Sequence, residues 1–367
     1  MKISFVNSIC VKNDAISKNI YDQIKWLADL GHQVTLFCYR CDFDDIQYRI
    51  VSNSIDVLSD EHFNLSEIVI FHFGIYYELF DLIRLRRPGL SKYVVVFHNV
   101  TPPELLPESN RRLIYRSLEQ LHNLNCADLV ICVSQFNLEC IRAFCCSTKR
   151  VLHLPLNSSH AVALTNKKST IDGVFRIVYI SRFVSSKNPE DLLLALKKVV
   201  ETRHGLRINI TFIGNSEFSD KAILASLKQH SDEITRSYPN VSSHIRTNVT
   251  NQEKFEVLKE ADLFVLPSEH EGFAVPVLEA LSHYCRVITY NNTNLQFIGG
   301  DLVSRVKTRD VEELAMTMLR NIDLIQSSSW RAQGFVKFSQ ECDRYLANFD
   351  YERIKREFYT LLFGVFS

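Results

Sequence analysis

The chain has 367 residues, which is too long for one ordinary hydrophobic core and suits two domains of about 150 to 200 residues. Its 42 Lys and Arg residues balance 42 Asp and Glu residues, so the composition gives no indication of a nucleic-acid partner. No apolar run reaches the roughly 18 to 20 residues that span a bilayer, and Met1 leads directly into a strand pattern, so we expect a cytoplasmic protein without a signal peptide.

Short runs rich in Val, Ile and Phe alternate with longer segments of helical period, which is typical of βαβ units around parallel sheets. In the first half we expect strands at residues 3–7, 33–39, 68–73, 93–98, 129–134 and 151–155. In the second half we expect strands at residues 175–180, 208–214, 244–247, 263–267, 286–290 and 302–306.

A polar stretch of little periodicity, residues 157–173, separates the two halves. The sequence therefore predicts an α/β protein with two doubly wound, Rossmann-like domains, the first over residues 1–160 and the second over 161–340. The apolar side of segment 349–363 predicts a helix within residues 341–367, and we expect this helix to pack back on the first domain.

The ten cysteines are interpreted as reduced thiols, because a long chain without a secretory signal is not a disulfide scaffold. Cys38 and Cys41 have the spacing of a zinc or redox pair, but no second pair at ligand spacing completes a zinc site. We expect buried, small hydrophobic side chains here rather than metal ligands.

Residues that follow the strands are the candidates for chemistry, because ligands of open parallel sheets bind beyond the carboxyl ends of the strands. Arg182 and Lys187 follow the strand at 175–180, and two cations on such a loop can converge on a diphosphate. Solvated surface charges are the alternative interpretation.

Segment 263–281 combines an apolar strand, a polar loop with Glu271, and a helix that we expect to start near Pro276 with Glu279 in its first turn. A diphosphate can bind at a helix N-terminus, while carboxylates can accept hydrogen bonds from sugar hydroxyls. Alternatively, Glu271 is a surface loop residue and Glu279 complements the helix dipole.

Residues 267–280 spell Pro-Ser-x-x-Glu-Gly-Phe-x-x-Pro-Val-Leu-Glu-Ala, which resembles the Glu-x7-Glu signature of retaining GT-B glycosyltransferases, above all family 4. The loop from Ser181 to Lys187 resembles that family's Gly-Arg and Lys loop, and Gly214 lies in a segment similar to its Val-Gly-x-Gly turn. The Gly-His-Gln-Val-Thr segment at 31–35 resembles the usual entry to the second strand, so the resemblance runs from Met1 to Val306.

The resemblance implies a GT-B fold with two Rossmann-like domains facing across a cleft, the first for the acceptor and the second for a nucleotide-sugar donor such as a UDP- or GDP-sugar. Arg182 and Lys187 would neutralise the donor diphosphate and stabilise the departing nucleotide. Glu279 would hold the ribose hydroxyls, and Glu271 would grip the transferred sugar. The further donor contacts would be Gly214, Ala15 and the backbone N–H groups of Phe273, Ala274 and Val275.

His98 follows the strand at 93–98 and resembles the family histidine that faces the sugar, with a satisfied loop histidine as the alternative. The family's retention is ascribed to front-face attack, in which the leaving phosphate helps to deprotonate the acceptor, so Glu271 is not expected to be a general base. No metal is expected, since the Arg182 and Lys187 pair takes over its electrostatic role.

Three departures from the family pattern concern the donor. The loop at residues 8–17 lacks consecutive glycines, and residues 291–296 replace a Gly-Gly-x-Pro-Glu loop. Ser181 and Ala274 replace glycines, which is tolerable unless either position needs a positive φ.

Basic residues at 84–92, together with Arg111, Arg112 and Arg116, favour peripheral contact with the inner face of an anionic membrane, or else form a solvated face. The Thr-Pro-Pro-Glu sequence at 101–104 resembles enzymes of bacterial surface polysaccharide synthesis, which implies a hexose donor and a lipid-linked oligosaccharide acceptor in O-antigen, capsule or lipopolysaccharide synthesis.

Two other functions fit the sequence. A non-catalytic GT-B scaffold of a polysaccharide-assembly complex is favoured by the missing glycines. An inverting transferase or sugar-nucleotide epimerase would need a base in the first domain, where Asp14 is the obvious carboxylate after the first strand.

Overall fold

The computed structural model describes residues 1–12, 14–85, 89–144, 150–156 and 172–364. Its internal contacts divide the chain into two compact units, Met1–Asn157 with Tyr351–Ser367, and Ser158–Asp350. Most of the polar stretch at 157–173 and the basic residues Arg86 and Arg87 lie outside the described residues.

The first unit contains a parallel sheet whose strands follow the order β5-β3-β1-β6-β7-β8-β9, and β2 pairs separately with β4. The strands are β1 (Lys2–Val6), β2 (Ile9–Cys10), β3 (Gln33–Cys38), β4 (Arg40–Cys41), β5 (Tyr48–Ile50), β6 (Ile68–Phe73), β7 (Lys92–Phe97), β8 (Leu129–Cys132) and β9 (Arg150–His153). The helices are α1 (Ala15–Asp29), α2 (Ser54–Leu58), α3 (Glu61–Asn64), α4 (Glu108–Gln120) and α5 (Gln135–Phe144), with 3₁₀ helices at Glu78–Leu85, Pro103–Leu105 and Leu121–Cys126.

The second unit contains a parallel sheet with the order β12-β11-β10-β13-β14-β15. The strands are β10 (Val174–Ile180), β11 (Arg207–Gly214), β12 (Val241–Thr247), β13 (Leu263–Leu266), β14 (Arg286–Tyr290) and β15 (Val303–Val306). The helices are α6 (Pro189–Thr202), α7 (Lys221–Ser237), α8 (Asn251–Glu260), α9 (Val275–Ser282), α10 (Val311–Gln326) and α11 (Phe335–Leu346). Single helical turns lie at Ser185–Lys187, Thr293–Gln296, Gly300–Leu302, Trp330–Gly334 and Ala347–Phe349.

The chain then returns to the first unit through α12 (Tyr351–Phe363). Ile354, Phe358 and Leu362 are buried on one side of α12, and the Tyr359 hydroxyl donates to the carbonyl oxygen of Trp26 in α1 at 2.6 Å. The switch between units therefore falls at Tyr351, whereas the sequence predicted one C-terminal segment from residue 341; α11 belongs to the second unit.

Each of the twelve strands expected from the sequence is present, with ends shifted by a few residues. Buried parallel strands are nearly continuous apolar runs, and in β6 every residue is buried. Both sheets have the order in which the chain starts in the middle and later reverses direction, which is the doubly wound arrangement predicted. None of the described helices is both long and apolar enough to cross a membrane.

Candidate active site

The second unit gathers predicted site residues where its strand order reverses, at β10 beside β13. The loop after β10 carries Arg182 and Lys187, and the loop after β13 carries Glu271. Parallel strands end at the same edge of a sheet, so these loops meet at the crevice where doubly wound folds bind ligands.

The meeting point is an ion pair between Lys187 and Glu271. Lys187 Nζ donates to Glu271 Oε1 at 2.7 Å and also to the carbonyl oxygen of His270. The two side chains are only 9% and 15% exposed, so the pair is shielded from water. Burial lowers the pKa of Lys187 below its usual value, while the Glu271 carboxylate acts in the opposite direction.

Asn188 fixes the end of the Lys187 turn. Its backbone is left-handed, with φ 44°, and its amide nitrogen donates at 3.0 Å both to the Pro267 carbonyl oxygen and to the Glu269 carboxylate. Arg309 donates to the Asn188 amide oxygen and bonds to the buried carboxylate of Asp191 at 3.1 Å. These bonds tie the β10 loop to the β13 loop independently of the Lys187 pair.

Arg182 differs from Lys187 because its side chain is exposed. Among the residues that the structure describes, it forms no ion pair, although its charge is close enough to act on the pKa of Lys187, which it lowers. Arg182 can therefore contact a ligand from the solvent side. Lys187, in contrast, is buried and is held by its hydrogen bonds to Glu271 and His270.

Helix α9 begins directly after this pair and offers an open N-terminus. Its N-cap residue Ala274 has φ 72° and makes no side-chain cap bond, and Pro276 lies in the first turn as predicted. The first backbone N–H groups of a helix have no partner within it, so those near Phe273, Ala274 and Val275 are suited to an anion. The positive φ also answers the question left by the sequence: position 274 does need the glycine-like conformation, whereas Ser181 has no positive φ.

The loop that replaces the family's Gly-Gly-x-Pro-Glu segment supports the Glu271 loop. Thr293 Oγ1 accepts from the Glu271 backbone N–H at 3.0 Å, and the Asn294 amide donates to the Phe273 carbonyl oxygen at 2.7 Å. Thr293 itself has φ 42°, which is unusual for a β-branched residue. In this loop, the hydrogen bonds of the Thr293 and Asn294 side chains stabilise the backbone conformation. In the family pattern, consecutive glycines allow the backbone to turn at this place.

Glu279 lies one turn further along α9 than the sequence suggested. The helix starts at Val275, so its first turn contains no acidic residue, and the prediction that Glu279 lies in that turn is wrong. Its carboxylate instead pairs with Lys254 of α8 at 2.6 Å, with both side chains largely buried. A favourable interaction with the dipole at the helix N-terminus therefore does not explain why a glutamate occupies position 279.

Gly214 is the last residue of β11, and the loop that follows β10 passes close to it. A Cβ at this position would lie 2.6 Å from both the Ser181 carbonyl oxygen and the Phe183 ring. Glycine is required here by close packing of the β10 loop rather than by a positive φ, which places Gly214 beneath the loop that carries Arg182.

In the first unit, His98 follows β7 and is 9% exposed. Its Nε2 lies 3.0 Å from Nδ1 of His72 in β6, and His72 Nε2 lies 3.1 Å from the amide oxygen of Gln23 in α1. Burial lowers the pKa of His98 to about 3 and the pKa of His72 well below its usual value. Both rings are therefore neutral near pH 7.

Ala15 is the first residue of α1, whose N-terminus is already capped. The Asp14 carboxylate accepts from both the backbone N–H and the hydroxyl of Ser17 at 2.8 Å. A negative charge thus stands beside Ala15, and the carboxylate that an inverting mechanism would use as a base serves as the helix cap.

Sequence reasoning missed Lys254 and His72, and it named the loop at 291–296 without the contact between Thr293 and Glu271. Lys254 and Thr293 reach the site from elements other than those carrying the motif, through contacts that one sequence does not reveal. His72 had a signal, since it is a polar residue in an otherwise apolar buried strand.

Comparison with known proteins places these features in a class. Residues 164–323 match the family described as glycosyl transferases group 1. The chain is similar to O-antigen chain mannosyltransferase B of Escherichia coli, with 26% identity over 269 residues that cover 68% of this chain and 67% of that protein. It is also similar to the capsular polysaccharide biosynthesis glycosyltransferase CapH of Staphylococcus aureus, with 27% identity over 116 residues, 31% of this chain and 30% of that protein. The crystal structure of a glycosyltransferase from Rickettsia africae ESF-5 has a TM-score of 0.75 at 14% identity and covers 100% of this chain and 98% of that chain.

The fold is therefore that of the GT-B glycosyltransferases, as the resemblance predicted. Residues 164–323 match the group 1 glycosyltransferase family, and both relatives that the chain resembles in sequence are glycosyltransferases.

Proposed function

We propose that the protein is a retaining hexosyltransferase that moves a sugar from a nucleotide-sugar donor to a glycan without a metal ion. The observation that carries this proposal is the buried Lys187–Glu271 pair, placed where β10 and β13 end and beside the open N-terminus of α9. The nature of the donor, the retention of configuration and the independence from a metal ion are inferred from the charged groups of this site.

The site can stabilise a leaving nucleoside diphosphate electrostatically. Lys187 supplies a charge that is already desolvated, and a phosphate oxygen can replace one of its present oxygen partners. Arg182 adds a planar cation from the exposed side, and the α9 N-terminus adds backbone donors. Fixed charges in a site shielded from water stabilise developing negative charge more strongly than charges in solution, so this set can act without a metal.

The position of Glu271 supports retention. Glu271 Oε1 already accepts a hydrogen bond from Lys187 Nζ at 2.7 Å, which holds the carboxylate in a fixed position. We therefore assign Glu271 to holding the donor sugar, and we assign deprotonation of the acceptor to the departing phosphate. Glu279, oriented by Lys254, is assigned to the ribose hydroxyls.

The relatives support a donor and an acceptor class. Similarity to an O-antigen chain mannosyltransferase makes a mannosyl group the first donor sugar to test, with GDP-mannose as the probe. Similarity to a capsular polysaccharide enzyme agrees with a lipid-linked oligosaccharide of a surface polysaccharide as the acceptor.

Helix α4 supports peripheral contact with an anionic membrane. Arg111, Arg112 and Arg116 lie on it together with Leu113 and Tyr115, which are 40% and 53% exposed. Arg112 and Arg116 are exposed and Arg111 is half-buried. Cations beside exposed apolar side chains suit the boundary between lipid headgroups and acyl chains.

A donor screen tests the proposal. The purified protein is titrated with GDP-mannose, UDP-glucose, ADP-glucose and dTDP-glucose in EDTA, and donor hydrolysis is followed. We expect one donor to bind and to be hydrolysed slowly, and Lys187→Ala and Glu271→Ala to lose that turnover. Lys221→Ala, which removes an exposed cation of α7, serves as the matched control.

Two outcomes contradict the proposal. If the donor is hydrolysed only after a divalent metal is added back, the metal-independent mechanism is wrong. If no donor binds, or if turnover survives both substitutions, the site assignment fails and the scaffold function is favoured instead.

A further inference from the structure

A buried chain of polar side chains runs through the first unit beneath His98. It passes from His98, after β7, to His72 in β6 and then to Gln23 and Asn19 in α1. The three hydrogen bonds are 3.0, 3.1 and 3.1 Å long, and His72 and Gln23 are 2% and 1% exposed. The proposed function does not use His72, Gln23 or Asn19.

The bonds in this chain have a direction. The Gln23 amide nitrogen donates to Asn19 Oδ1, which leaves the Gln23 amide oxygen facing His72 Nε2. With the Gln23 amide in this orientation, His72 carries its proton on Nε2 and accepts at Nδ1. Because both rings are neutral, His98 carries its proton on Nε2, and its Nδ1 is a bare acceptor.

The backbone and the ring packing hold His98 against this chain. The His98 N–H donates to the Phe73 carbonyl oxygen at 2.8 Å, and the two imidazoles stack with centroids 5.2 Å apart. Gly74 permits the close approach, since a Cβ there would lie 3.2 Å from both His98 Cβ and the Asn99 carbonyl oxygen. Among the described residues, the ring hydrogen bond of His98 is made through Nε2, and Nδ1 has no hydrogen-bond partner of its own.

We infer that His72 and Gln23 are positioning residues that fix the tautomer of His98, so that His98 Nδ1 accepts a hydrogen bond from a hydroxyl of the transferred sugar. The inference rests on the proposed function and on the expectation from the sequence resemblance that His98 faces the transferred sugar. A fixed acceptor discriminates against donors that lack a hydroxyl at the contacted position, because the polar atom is then left without a partner.

The first experiment measures the tautomer directly. Long-range proton–nitrogen correlation spectra of protein labelled with ¹⁵N-histidine identify which ring nitrogen carries the proton, and His98→Asn assigns the His98 signals. We expect His98 to be protonated only on Nε2 in the unmodified protein. We expect His72→Leu, which removes the acceptor, to allow protonation at Nδ1. A protonated Nδ1 in the unmodified protein overturns the inference.

The second experiment measures turnover. For the donor hydrolysed among GDP-mannose and the UDP-, ADP- and dTDP-glucose probes, we expect His72→Leu to lower kcat about 10-fold, with a smaller change in KM. We expect His72→Asn to restore most of the loss, because its Oδ1 takes the place of the accepting Nδ1. His122→Leu, which changes an exposed histidine of the same unit, is the control.

The outcomes separate this inference from the proposed function. If His98→Ala loses turnover but His72→Leu does not, the tautomer inference is wrong and the proposed function stands. If His98→Ala retains full turnover, the assignment of His98 to the sugar is wrong. Thermal melting of every variant shows whether it is folded, and failure of His72→Asn to rescue a folded protein reduces His72 to a packing role.

Discussion

Left-handed backbone conformations cluster around the candidate active site at residues other than glycine. Asn188, Ala274 and Thr293 have φ values of 44°, 72° and 42°. Asparagine tolerates this region, but alanine loses about 1 to 2 kcal/mol there because its Cβ approaches the backbone. The hydrogen bonds of Asn188, Thr293 and Asn294 hold these loops in place, so the strain is maintained by the surrounding site.

The strain at Ala274 gives a prediction about stability. We expect Ala274→Gly to raise the free energy of unfolding by about 0.5 to 1 kcal/mol, because relief of the left-handed alanine exceeds the extra entropy of glycine in the unfolded chain. Urea denaturation followed by circular dichroism measures the change.

The matched control is Ala280→Gly in the same helix. Ala280 is fully buried and helical, so glycine there should lower stability by at least about 0.5 to 1 kcal/mol. A loss of stability in Ala274→Gly as well would show that the backbone at this position is not strained.

Helix α4 has a buried side and a basic, exposed side. Ile114, Ser117 and Gln120 are buried, whereas Arg112, Tyr115 and Arg116 are exposed and Arg111 is half-buried. Arg116 stacks on the Tyr76 ring at 3.6 Å, which fixes one of these cations. Arg111 and Arg112 make the better test of membrane contact, because changing them leaves that stacking in place.

We expect Arg111→Glu with Arg112→Glu to abolish sedimentation of the protein with vesicles that contain anionic lipid. Each cation near such a surface contributes about 1 kcal/mol, and reversal adds repulsion. The control is Lys221→Glu with Lys228→Glu, which reverses two exposed cations of the second unit and changes the net charge by the same amount. Equal binding by the unmodified protein and the α4 variant would rule out this surface.

The elements differ in how far the sequence could predict them. Strands such as β6 were predictable because both faces of a parallel sheet are covered, which leaves an uninterrupted apolar run. The short strands β2 and β4 were not, since two residues carry no period and form only by pairing with each other, Cys10 opposite Cys41.

The residues of the candidate site also differ in how far the sequence could predict them. Lys187 and Glu271 were predictable because each follows a strand whose end defines the crevice. The partner of Glu279 was not, because Lys254 comes from a different helix and the contact exists only after β10, β13 and their helices have packed. The strain at Ala274 could be posed as a question from the sequence, but only the backbone angle answered it.

Each of the two units contains one of the two tryptophans. Trp26 is fully buried in the first unit, and Trp330 is 8% exposed in the second. Removing one tryptophan leaves a fluorescent reporter of the other unit. The two units can therefore be followed separately as they unfold.

This separation tests the role of the C-terminal helix. α12 covers Trp26, with the rings of Tyr351 and Phe358 at 5.4 and 5.7 Å, and it buries Ile354 and Leu362. Full burial of one such side chain contributes about 1.5 to 3 kcal/mol, so several together match a large part of the roughly 5 to 15 kcal/mol that stabilises a domain.

We expect truncation after Asp350, in a Trp330→Phe background, to lower the thermal midpoint of Trp26 fluorescence sharply. In a Trp26→Phe background, the same truncation should leave the midpoint reported by Trp330 unchanged, because α11 and its contacts remain. Truncation after Gly364 should affect neither signal. A Trp26 midpoint that survives the loss of α12 would mean that the first unit is stable without it.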